Sequence, residues 1–187
     1  ALSSAASDVY KRQKYTGAGD SNFGWGTYTI YNSGNIVIDG GTIEMVCDLN
    51  SSAATHMYSV VSQYIGSTTI NGGKISNPTY RSIRVNGGSL VINDGEMEGQ
   101  VWMQPYDNNS TLTIIGGSFA PRGNDGSSVF VTNDSKDVTL KVTGGTFETK
   151  IGCSDYTKAG VKGSISGGIF GVAPDANPVS YTHLTLP

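Results

Sequence analysis

The chain has 187 residues, a formal net charge of −3, 14% charged residues and 26 glycines. That length suits a single domain, and mild acidity without charge runs argues against nucleic acid or an anionic membrane surface as partner. No apolar run approaches membrane-spanning length, and two cysteines are too few for a disulfide framework.

The two ends stand apart from the rest. Ser3–Gln13 reads SSAASDVYKRQ and Val179–Pro187 reads VSYTHLTLP. Back-translated, the first specifies a DNA strand whose complement encodes the second. Such a pair resembles a translated sequencing adapter, so residues 1–13 and 179–187 are expected to be adapter-derived. Residues 14–178 are then expected to be a fragment of a longer protein, cut at both ends.

Within that fragment one short unit recurs. In chain order the copies are IVIDGGTI (Ile36–Ile43), TTINGGKI (Thr68–Ile75), LVINDGEM (Leu90–Met97), LTIIGGSF (Leu112–Phe119), LKVTGGTF (Leu140–Phe147) and GSISGGIF (Gly163–Phe170). One column is always apolar: Ile38, Ile70, Ile92, Ile114, Val142, Ile165. So is a second: Ile43, Ile75, Met97, Phe119, Phe147, Phe170. Between them lie mostly polar residues, Asp39, Asn71, Asn93, Thr143 and Ser166 among them.

Apolar residues alternate inside each unit, a period of two that predicts strands. The glycine pair then marks a sharp bend or a positive φ. No stretch carries the three-and-four apolar spacing of a helix. The second glycine positions (Gly41, Gly73, Gly95, Gly117, Gly145, Gly168) are 32, 22, 22, 28 and 23 residues apart, the period of a solenoid. The fold class expected is all-β: a right-handed parallel β-helix of about six coils, its rungs about 4.8 Å apart. Cys47 and Cys153 would sit in the first and fifth coils, roughly 19 Å apart, too far to bridge.

These residues resemble the right-handed β-helices of the pectin-lyase-like superfamily. They are still more similar to the GGTF-type repeats of secreted or wall-attached proteins of gut bacteria. The likeness covers roughly Asn22 to Gly171. It implies a secreted or cell-surface protein, and it rests on core and turn residues rather than on catalytic ones.

A second alternating piece follows each copy. If Ile83 and Val85, Val101 and Met103, Val129 and Val131, and Ile151 and Cys153 face inward, then Arg84, Trp102 and Phe130 face outward on successive rungs. Arginine beside an indole face suits a cation–π contact, and aromatic rings in a row stack on sugars. Arg84, Trp102 and Phe130, with Tyr106 in the loop that follows, are therefore the candidate binding residues, and a glycan or host surface ligand is the expected partner. Cover by a neighbouring loop is the alternative reading of the same row. The loops Pro78–Tyr80, Pro105–Asn109, Pro121–Gly126, Asn133–Asp137 and Ser154–Lys158 vary most. Their Asn, Asp, Gly and Pro serve binding or simply turn formation.

Resemblance to pectate lyases directs attention to clustered aspartates that hold Ca²⁺. Asp125, Asp134 and Asp137 are the weak candidates, on loops of unequal length beside Asp107 and Arg122. No acidic pair recurs at a fixed position, so no metal site, cofactor or catalytic residue is assigned, Ca²⁺ remaining the one candidate ion. Glu96 and Glu98 lie on one rung and read as solubilising charges beside Lys74. His56 has no acid near it for a triad, and one histidine with two distant cysteines makes no zinc site. Two functions remain open: a structural or adhesive stalk with glycan binding, or a fragment of a polysaccharide lyase or glycoside hydrolase.

Overall fold

The computed structural model describes residues 11–15, 28–47, 59–106, 109–121, 126–132, 137–153, 161–175 and 180–181. Every element among them is a strand. After β1 (Lys11–Tyr15) come β2 (Tyr28–Asn32), β3 (Asn35–Ile38) and β4 (Thr42–Cys47). The next set is β5 (Ser59–Gln63), β6 (Ser67–Ile70) and the long β7 (Lys74–Val85), followed by β8 (Gly88–Ile92) and β9 (Glu96–Met103). Then come β10 (Ser110–Ile114), β11 (Ser118–Ala120) and β12 (Ser127–Val131), and after them β13 (Val138–Val142), β14 (Thr146–Phe147) and β15 (Lys150–Cys153). The described strands end with β16 (Val161–Ile165), β17 (Ile169–Phe170) and β18 (Ser180–Tyr181).

These strands build two sheets, and every pairing is parallel. One sheet runs β3-β6-β8-β10-β13-β16-β18. The other runs β1-β4-β7-β9-β11-β14-β17, with β2 and β5 joined to it through β7, and β12 and β15 through β9. Successive units therefore cross from sheet to sheet and return one position further along. Parallel pairing of short, unconnected neighbours requires such crossings, and the arrangement is consistent with a solenoid. No helix among the described residues is long and apolar enough to cross a membrane.

Register follows the repeat. Ile38, Ile70, Ile92, Ile114, Val142 and Ile165 are successive partners in the first sheet. In the second, Ile43, Ile75, Met97, Phe119, Phe147 and Phe170 are partners likewise. Apart from the half-buried Ile43, both columns are buried. They form the spine of one continuous apolar core. Phe119, Phe147 and Phe170 stack face to face with centroids 4.6 Å apart at both steps. The rung spacing of the backbone imposes that separation, and it is also a favourable distance between aromatic rings.

The glycines explain how the rungs close up. All six second-position glycines take positive φ, from 80° at Gly41 to 120° at Gly168. The corner carbonyls from Gly41 to Gly145 each accept a hydrogen bond from the next rung, as in Lys74 N to Gly41 O and Glu96 N to Gly73 O, at 2.8 and 2.7 Å. Beside the corner the polar column forms an amide ladder. Asn71 Nδ2 donates to Asp39 Oδ1 at 2.6 Å, and Asn93 Nδ2 to Asn71 Oδ1 at 2.7 Å.

Two expectations change. Pro78–Tyr80 is not a loop between strands: β7 continues through it, with register shifts between Ser76 and Arg81 and between Arg81 and Ile83. Likewise β9 joins the glycine-pair strand to the segment carrying Trp102. Only 22 residues separate the copies here, leaving too little chain for a loop at that corner. The second strand of the earlier unit, expected over Met57–Val61, is described over Ser59–Gln63 and so runs two residues further, while Met57 and Tyr58 fall outside the described residues.

Candidate functional site

The outward face of the second sheet gathers the residues with most chemical character. Their order follows from register. Tyr31 partners Ser62, Ser62 partners Arg84, Arg84 partners Trp102, and Trp102 partners Phe130. Gly152 comes next. Between them the inward neighbours Ile83, Val85, Val101, Met103, Val129 and Val131 are buried, so strand alternation directs the file outward.

The structure places Arg84, Trp102 and Phe130 on three adjacent rungs, each half-buried. Tyr106 lies beside them, 41% exposed, its backbone N–H bonded to Asn86 O at 3.0 Å. The Arg84 guanidinium stands 5.8 Å from the ring centres of both Trp102 and Tyr106 and donates to Gln104 Oε1 at 3.2 Å.

A closer cation escaped the sequence reading. The Arg81 guanidinium lies 3.0 Å from the Trp102 ring centre and 3.8 Å from that of Tyr80, whose hydroxyl it also meets. Alternation alone assigns Arg81 to the same side as Ile83. The bulge in β7 turns it out instead. Asn77 organises that bulge: its Oδ1 accepts from Thr79 N at 3.0 Å and Tyr80 N at 3.2 Å, and its Nδ2 donates to Arg81 O at 2.9 Å. The signal was present in the Asn77-Pro78 dipeptide, a turn-initiating pair.

Arg81 is only 4% exposed, so the indole and its neighbours seal it from water. A guanidinium held on an aromatic face in that setting is strongly attracted to the ring and fixes the indole's plane. Trp102 Nε1 is buried and has no hydrogen-bond partner among the described residues. The surface is thus a pre-set aromatic plate with two cations against it.

A second concave feature runs along the glycine corners. It is a groove of about 710 Å³, lined by Gly41, Gly73, Gly95 and Gly117 with Lys74 and Glu96 on its flank. Its carbonyls accept the rung-to-rung hydrogen bonds, and its concavity follows from corners without side chains. Lys74 Nζ donates to Glu98 Oε1 at 2.7 Å and sits 3.7 Å from Glu96 Oε2, and Ser76 Oγ donates to Glu98 Oε2 at 2.8 Å. The hydrogen bond it donates to Glu98 raises the pKa of the Lys74 ammonium above its ordinary value of 10.5, against a smaller lowering by burial. Glu96 and Glu98 thus bind a lysine as well as facing solvent.

No family model, curated protein or solved structure matches the chain. Function has to be read from these surfaces. Of the Ca²⁺ candidates, Asp125 and Asp134 lie outside the described residues. Asp137 is exposed, 3.6 Å from Lys162 Nζ. No group of three or more metal-ligating side chains converges among the described residues. Cys153 is half-buried at the end of β15, while the side chain of Cys47 is outside the described set.

Proposed function

We propose that the chain is a stretch of right-handed parallel β-helix that acts as a scaffold and presents a carbohydrate-binding face. The setting proposed is a secreted or cell-surface bacterial protein of the pectin-lyase-like kind. The coil is supported by parallel register in both sheets and by the return of each unit one rung further on. Its hand is supported by the right-handed crossover preference.

One observation carries the functional reading: Arg84, Trp102 and Phe130 fill adjacent outward positions. Sugars bring one face of C–H bonds and a rim of hydroxyls. A flat indole accommodates the first and guanidinium, amide and phenol groups the second. The acidic net charge of −3 disfavours nucleic acid, which also stacks on aromatic rings.

The test is glycan binding by the full chain, followed by titration calorimetry with Trp102→Ala. Loss of one stacking plate is expected to weaken affinity about tenfold, the equivalent of roughly 1.4 kcal/mol. Unchanged affinity in a folded Trp102→Ala variant would remove the reading.

A further inference from the structure

Resting on that carbohydrate reading, we infer that the ligand is an unbranched chain of equatorially linked pyranoses lying across the strands, rather than a terminal sugar or a branched head group. The argument begins with Tyr31, which sequence reading left out of the site. It occupies the same outward file as Arg84, Trp102 and Phe130, two rungs earlier. It is 50% exposed. Tyr64 lies in the neighbouring file with Asn86 and Gln104, as the ladder bonds Tyr64 N to Asn32 O, Asn86 N to Gln63 O and Gln104 N to Val85 O indicate.

The rings of Tyr31 and Tyr64 are stacked at 6.5 Å and 24°, and Tyr28 is 5.1 Å from Tyr31. Aromatic residues therefore stand at both ends of one line, with Arg84 between them. Ser62, the small residue inside the line, is buried, so its larger neighbours set the height of the surface. From Tyr31 to Phe130 the line covers four rung steps, about 19 Å.

A line of plates selects the shape of its ligand. Equatorial linkages keep successive rings in one flat ribbon with C–H faces exposed along it, and such a ribbon advances by close to one rung spacing per sugar. Axially linked chains coil away from a straight line after two or three rings. A terminal sugar uses one plate and leaves the others idle. The repeat of the backbone and the repeat of a flat polysaccharide thus agree, and the tyrosine hydroxyls and Gln104 supply polar contacts along the rim.

The test is a length series on the full chain: β-1,4-linked glucose oligomers from dimer to hexamer, with maltohexaose, an oligogalacturonate and single-stranded oligo(dT) as comparisons. Affinity is expected to rise about tenfold or more from the dimer and to level off by the hexamer, as the ligand comes to span the line. The Tyr31→Ala/Tyr64→Ala double variant is expected to lose that gain. Equal affinity for dimer and hexamer, with Trp102 still required, would overturn the chain inference and leave the carbohydrate reading standing. Preference for maltohexaose or the oligogalacturonate would overturn it as well. Binding of oligo(dT) alone, or of no glycan at all, would defeat both.

Discussion

At the scale of single residues, the glycine doublets separate two roles that look alike in sequence. Gly72 has ordinary φ, and a Cβ built there meets only Asp39 O at 3.5 Å. Gly73 has φ +89°, and its Cβ would stand 2.5 Å from Gly41 O. Left-handed backbone alone costs a non-glycine residue about 1–2 kcal/mol, and the clash adds to it. Gly73→Ala is therefore expected to lower stability by more than about 2 kcal/mol, while Gly72→Ala stays within about 1 kcal/mol. Denaturant midpoints of the two variants decide it, and equal midpoints would contradict the corner geometry.

Lys74 offers a pH test at the same scale. Its folded-state pKa is raised above 10.5, so the ammonium favours the folded state at every pH below that value. The contribution disappears as pH climbs through the raised pKa. Melting curves of the parent and Lys74→Met are expected to differ by a constant amount between pH 7 and 9 and to converge above about pH 10.5. The lysine is one-third exposed, so the difference should be small.

At the scale of elements, the phenylalanine stack ties three rungs together. Phe147 lies between Phe119 and Phe170, 4.6 Å from each. Truncation to alanine leaves a void that rigid backbone ladders cannot close. Phe147→Ala is expected to cost about 3–5 kcal/mol, and Phe147→Leu markedly less, as read from urea unfolding. A cost near 1 kcal/mol would mean the core is looser than this packing implies.

Elements were also where the sequence was most legible. Both apolar columns, from Ile38 to Ile165 and from Ile75 to Phe170, were visible because strand alternation and a recurring glycine fix side-chain direction locally. Arg84, Trp102 and Phe130 could be set on adjacent rungs for the same reason. Arg81 could not, since its direction depends on a bulge held by Asn77 through contacts across several residues. Tyr31 was missed differently. Its alignment with Arg84 depends on counting through Ser62, and a serine gives no hint that an aromatic file passes through it.

At the scale of the molecule, each rung touches only its neighbours, so stability should accumulate along one axis. The intervals between copies differ, yet pairing from Ile38 to Ile165 never slips. The residues that make up the difference lie, in sequence, between strands. A ten-residue Gly/Ser insertion between β12 and β13 is expected to change stability by under about 1 kcal/mol. A single residue inserted between Leu112 and Ile114 inverts the facing of half a strand and is expected to prevent folding. Thermal melts of the two insertions compare them directly.

That indifference to interval length reaches beyond stability. Where one unit seats on the next through backbone corners and identical columns, duplication or loss of a unit changes neither flank. Recombination within the encoding gene can then lengthen or shorten the stack in steps of one unit, and its reach becomes a trait open to variation without redesign of the parts.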